Sequence, residues 1–132
     1  MSRTRAEARV TVEHSEVVPY DQADSPALVE IHLSETFRGD INGVSAVRAL
    51  QARRDDGTAT MIMLQRFEGT LGKLRGKFVL QGSALVENGK IRATWSVIPR
   101  SGTDELSGLR GEGGFEGDFG KGSVGTLEYW FE

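Results

Sequence analysis

The chain has 132 residues, a net charge of −3, 17 glycines against 3 prolines, and no cysteine. That length gives one domain with enough interior to fold without staples, and the missing cysteines exclude disulfides, thiolate metal sites and thiol nucleophiles. Charges of both signs are interspersed, unlike the basic stripe of a nucleic-acid binder, and the charged segment Met1 to Val10 reads as neither signal peptide nor membrane anchor, so a cytoplasmic protein with no nucleic-acid or membrane partner is expected.

Residues 5 to 18 alternate in character. Ala6, Ala8, Val10 and Val12 share one face, which His14 continues, against Arg5, Glu7, Arg9, Thr11 and Glu13. A period of two marks a half-buried strand. Residues 19 to 26, rich in Asp, Ser and Pro, read as a loop. In the second strand Val29, Ile31, Leu33, Glu35 and Phe37 fall on one face, with His32, Ser34 and Thr36 opposite. Residues 39 to 43 form a turn, inside which Arg38-Gly39-Asp40 is local turn chemistry, and a third strand runs to about Arg54.

Asp56-Gly57 supplies the positive φ angles of a tight hairpin. It leads into a strand over 58–71, where Ile62 and Leu64 face one way and Met61, Met63 and Phe67 the other. Two apolar faces predict that one covers a core while the other meets a second surface, so a homodimer or larger homo-oligomer is anticipated. In the fifth strand, 74–86, Leu74, Phe78 and Leu80 point inward and Lys73, Arg75 and Lys77 outward, with Gln81 placed outside beside Lys77. Asn88-Gly89 turns the chain into 90–98, which puts Ile91, Ala93, Trp95 and Val97 on one face. Ser101 followed by Asp104 predicts one short helical turn near 101–107. Two strands, near 108–117 and 123–131, complete the chain.

About eight antiparallel strands in one small domain, residues 1–132, close most simply into an all-β barrel without exposed edges. A Phe-x-Gly echo at Phe37, Phe67 and Phe115 puts a glycine just past an aromatic, the grammar of a sharp bend or bulge at a barrel rim. Gly120-Lys-Gly122-Ser-Val-Gly125 matches the dinucleotide fingerprint in letters only. It joins two strands and opens no helix, so it reads as a hairpin loop and no cofactor is expected.

Several stretches together, Phe37-Arg-Gly-Asp-Ile-Asn-Gly43, Phe67-Glu-Gly-Thr-Leu71, Gly76-Lys-Phe-Val-Leu-Gln81, Ala93-Thr-Trp-Ser-Val97 and 101–116, resemble the small bacterial family known as domain of unknown function 3224. The resemblance spans Val10 to Glu132. It implies the allene oxide cyclase-like fold, an eight-stranded antiparallel barrel whose lumen can hold an apolar ligand, and it carries over no catalytic residue.

No catalytic constellation is legible. His14 and His32 lie in no zinc-binding pattern, so no metal is expected, and no nucleophile elbow is present. Arg110 with Glu112 reads as a cross-strand ion pair. The residues that attract attention are polar ones on apolar faces. Glu35 and Gln65, with Phe67, Trp95 and Tyr129, are expected to line one lumen, and Glu35, if desolvated, is the candidate for proton transfer. The expected function is therefore non-catalytic binding of a small apolar or amphipathic molecule in the lumen. The alternatives are a cofactor-independent cyclase or isomerase acting on a hydrophobic substrate, and a structural subunit of a homo-oligomer.

Overall fold

The computed structural model describes residues 2–119 and 121–132. Eight strands follow one another: β1 (Thr4–Asp21), β2 (Ala27–Gly39), β3 (Ile41–Arg53), β4 (Ala59–Leu71), β5 (Leu74–Glu87), β6 (Lys90–Val97), β7 (Leu109–Asp118) and β8 (Gly122–Phe131). Each pairs antiparallel with the next, and β8 pairs with β1, closing the barrel. The two hairpin signals behave as their chemistry demands. Asn88, Gly89 and Gly57 take φ values of 53°, 75° and 86°, and Asp56 Oδ1 accepts from the Thr58 amide at 2.9 Å to close the β3–β4 turn. Among the described residues no helix is long and apolar enough to cross a membrane.

The pleat sorts side chains as the alternation predicts. In β4, Met61, Met63, Gln65, Phe67 and Leu71 are buried, whereas Ile62 and Leu64 point outward and stay more than half exposed at 58% and 53%. Among the described residues the one helical turn is a 3-10 turn, Asp104–Leu106, inside the predicted 101–107. It has a structural task. Residues 74–79 of β5 extend beyond the end of β6, whose ladder begins opposite Leu80, and so leave an open sheet edge. The 101–105 segment covers that edge: Ser101 Oγ, Thr103 Oγ1 and Glu105 Oε1 accept from the amides of Val79, Lys77 and Arg75, each at 3.0 Å.

Three details depart from the sequence reading. First, β1 does not stop at 18: it remains paired with β2 to Asp21, so the predicted 19–26 loop shrinks to residues 22–26. Second, a register shift between Val12 and His14 leaves Glu13 as an extra residue on β1. A single-residue bulge moves every later side chain to the opposite face. His14 accordingly lies outside, exposed opposite Ser34, while Ser15 and Val17 inherit the inward positions. Third, the glycine after Phe67 inserts no extra residue. The β3–β4 ladder runs unbroken through the facing pair Gly43 and Gly69, whose φ values are 156° and 157°. A Cβ on Gly69 would run into the Asn42 carbonyl oxygen, so the strands can approach only because glycine is there. Of the 120–125 stretch, Gly122 to Gly125 lie on β8, and Gly120 is outside the described residues.

The lumen holds two cores, one at each end. At the closed end Phe37, Phe67, Phe78 and Trp95 pack with Ile41, Leu71, Leu109 and Leu127, and Leu106 of the 3-10 turn closes it off with no exposure at all. The other end is aliphatic and finer-grained: Val29, Ile31, Val47, Ala49, Ala59, Met61, Met63, Ala84, Val86, Ile91 and Ala93. Phe115 touches both.

Candidate functional site

Four alanines and no aromatic ring stand among the buried residues of the aliphatic end. Small side chains there fail to fill the cross-section that the aromatic rings fill below, and a cavity of about 140 Å³ remains. Its wall includes Leu33, Val47, Met61, Met63, Ile91 and Phe115, and its rim carries Ser15, Val17, Arg53, Asp118 and Phe119. The β1 bulge contributes directly, because it turns Ser15 and Val17 toward the opening.

Two polar side chains reach into this cavity from mid-strand, Glu35 and Gln65. Glu35 lies in the inward row of β2, opposite Val12 of β1 and Ser45 of β3. Burial, the sole influence on its titration, pushes its carboxyl from 4.5 up to about 7. Among the described residues neither a cation nor a hydrogen-bond donor offsets that cost. Gln65 is 3% exposed and its Oε1 accepts from the Ser45 hydroxyl at 3.3 Å. Closer to the mouth, Gln51 is buried and its Oε1 accepts from Arg53 Nε at 2.5 Å.

The remaining predicted lumen residues lie elsewhere. Phe67 is wholly buried in the aromatic end, its ring 5.4 Å from Phe37 and 4.9 Å from Phe78. Trp95 stacks between Phe37 and Phe115, and its indole N–H donates to the Thr126 carbonyl at 2.9 Å, which leaves no polar handle for a ligand. Tyr129 packs against the aromatic core from the closed end, edge-on to Phe131. The structure thus brings Glu35 and Gln65 together on one cavity and assigns Phe67, Trp95 and Tyr129 to the core that closes the lumen beneath it.

Sequence reasoning missed Ser45, Gln51 and Arg53. The signal was present, since all three occupy the same period-two row of β3 as Ile41, Val47 and Ala49. The expected Arg110–Glu112 cross-strand pair does not form: both residues stand on β7, and each has a partner of opposite charge on another segment. Arg110 pairs instead with Glu132 and Glu112 with Arg3. His32 stands on the outside of β2, its Nε2 2.6 Å from Glu30 and its Nδ1 3.8 Å from Glu16. Among the described residues no group of three or more His, Cys, Asp or Glu side chains is placed to hold a metal ion.

A larger depression, about 1080 Å³, crosses the outer face of the barrel past Leu50, Ile62, Leu64, Gln81 and Ser83. It is open to solvent. The chemistry points to the smaller inner cavity.

Over residues 6–132 the chain matches a family model described as protein of unknown function (DUF3224). A solved structure of a DUF3224 family protein of unknown function, from Shewanella oneidensis MR-1, is similar at 24% identity; the match covers 99% of each chain with a TM-score of 0.78. At that identity the likeness shows the fold. No curated protein matches the chain.

Proposed function

The chain belongs to the DUF3224 family, and from that premise, which gives a fold and no activity, we propose that the barrel binds a small, largely apolar molecule in the open end of its lumen. One observation carries the reading: the closed end is filled by the protein's own rings, whereas the open end leaves about 140 Å³ among Val47, Met61, Met63 and Phe115, with Glu35 and Gln65 in its wall. An apolar void of that order accommodates a molecule the size of benzene. A few polar groups in an otherwise apolar wall fix a ligand's orientation. A larger ligand would extend through the mouth past Val17 and Phe119. We also place the protein in the cytoplasm, because small secreted domains are commonly disulfide-dense and this one has no cysteine.

Native mass spectrometry of freshly purified protein tests the binding reading. The expected result is a small organic adduct that disappears in the denatured mass. If no adduct is found, and benzene added to the protein shifts neither the Met61 nor the Met63 methyl resonance, the reading is wrong.

Glu35 favours a second reading, a cofactor-independent isomerase or cyclase. A carboxyl titrating near 7 is matched to proton transfer at neutral pH, and a snug cavity would hold a flexible substrate in a reactive shape. This reading requires a ligand that leaves chemically changed. A co-purifying molecule recovered intact after long incubation with the protein would remove it.

A further inference from the structure

Three charged side chains reach the cavity wall: Glu35, Arg53 and Asp118. Two of them are at the rim and are already engaged. Arg53 donates from Nε to Gln51, and Asp118 holds Lys90 on the outside of the barrel. Glu35 is the third, it lies deepest, and its carboxyl has no partner among the described residues. Directly opposite is Ser45, whose hydroxyl is spent on Gln65 Oε1. That amide oxygen still has a second lone pair. The cavity therefore offers an ionisable carboxyl from β2 and an amide acceptor from β4 in one wall, while the guanidinium of exposed Arg53 stands out at the rim with its Nε donating to Gln51.

Resting on the lumen-binding reading above, we propose that the ligand is a compact organic cation of roughly six to eight non-hydrogen atoms, an apolar body carrying one protonated amine. The ammonium sets one N–H on the Glu35 carboxylate and a second on Gln65 Oε1, and the apolar body lies against Val47, Met61, Met63 and Phe115. The remaining N–H faces the mouth and water.

The alternatives fit the wall less well. An anion could meet Arg53 only at the exposed rim; deeper in, it would approach an ionisable carboxyl with the Gln65 amide NH2 to receive it. A neutral alcohol can hydrogen-bond to Glu35, yet it supplies none of the charge that the site lacks. A cation supplies it in a space that excludes most water, where a paired charge is worth far more than at the surface. Binding then substitutes the ligand's charge for the proton that Glu35 otherwise retains.

Cyclopentylamine and cyclopentanol have the same size and shape and differ only in the ammonium and hydroxyl groups, so they form the test pair. Both are titrated into protein carrying 13C-methyl methionine, with Met61 and Met63 reporting from the cavity wall. At pH 8.5 the amine should bind at least tenfold more tightly than the alcohol. That advantage should shrink severalfold at pH 5.5, where Glu35 holds its proton, and vanish in Glu35→Gln, whose folding the same methyl signals report. If the alcohol binds as tightly as the amine, or if the amine's advantage survives in Glu35→Gln, the cation assignment is overturned while lumen binding stands. If the amine, the alcohol and benzene all leave both methyl signals unmoved, lumen binding itself fails and the assignment falls with it.

Discussion

At one end of the lumen β3 and β4 contribute Ile41, Phe67 and Leu71, and further along the same two strands they contribute Val47, Ala49, Met61 and Met63. The ladder between them is continuous throughout, from Ile41↔Leu71 to Arg53↔Ala59. The β3–β4 pairing is therefore common to both ends, and within these two strands side-chain volume separates them. Rings in edge-to-face and tilted contact fill the first end and add attraction beyond their burial. The second end is packed with branched and unbranched aliphatics and leaves room for a guest. The contrast suggests a division of labour. Tight packing at one end stabilises a closed barrel, which frees the other end from having to be full.

The most forceful way to break this comparison is to truncate one side chain at each end and measure chemical denaturation. Phe67→Ala removes a fully buried ring that touches two others, and should cost about 3–5 kcal/mol. Met61→Ala acts in a wall that already borders a void, and should cost about 2 kcal/mol, the low end for a buried methionine. Equal losses would mean that both ends carry the fold alike, and the division of labour would be wrong.

Glu35 sharpens the comparison through pH. Its carboxyl holds its proton to higher pH in the folded barrel than in the unfolded chain, because burial raises it from 4.5 to about 7. The folded state therefore binds more protons between those values, and stability must fall as pH rises across that window. Below pH 4.5 both states are protonated and the group costs nothing. Above 7 the cost of the buried charge is fully felt, up to about 3 kcal/mol. Glu35→Gln should accordingly match the parent protein at pH 4 and exceed it in stability at pH 8.5. A flat difference between the two proteins across this range would show that Glu35 is solvated at the mouth and that the open end holds no desolvated carboxyl.

These two experiments also mark where the sequence was informative. The barrel was legible because its signals are local: the Asp56-Gly57 and Asn88-Gly89 turns set the reversals, and period-two alternation set the faces. Glu35 and Gln65 were legible for the same reason, as polar residues in apolar rows with no bulge between them and their neighbours. His14 was misplaced by an irregularity that inverts parity, the extra residue at Glu13, which leaves no mark in composition. Trp95 and Tyr129 are in the right barrel and on the inward side, but period two gives the face and says nothing of height along the axis. Height decides whether an inward ring lines a cavity or plugs it. It depends on strand stagger around the closed barrel, which only the full set of pairings provides.

The smallest expected effect tests the open end in the reverse direction, by filling it. Val47 lies in the inward row of β3, is buried, and borders the cavity together with Gln65, its partner across the ladder. Val47→Ile adds one methylene on the side where the wall meets the void, with the same β-branched backbone preference. In a tightly packed core such an addition forces neighbours off their rotamers. Here it should find space and raise stability by about 0.5–1 kcal/mol, near the value of one buried methylene. The same methylene should weaken cyclopentylamine binding severalfold, since both occupy one volume. The equivalent enlargement at the other end has no such space: Leu71 is fully buried among rings, and Leu71→Phe should destabilise. If Val47→Ile destabilises as well, the aliphatic end is as closely packed as the aromatic one. The two ends would then differ in composition but not in what they can admit.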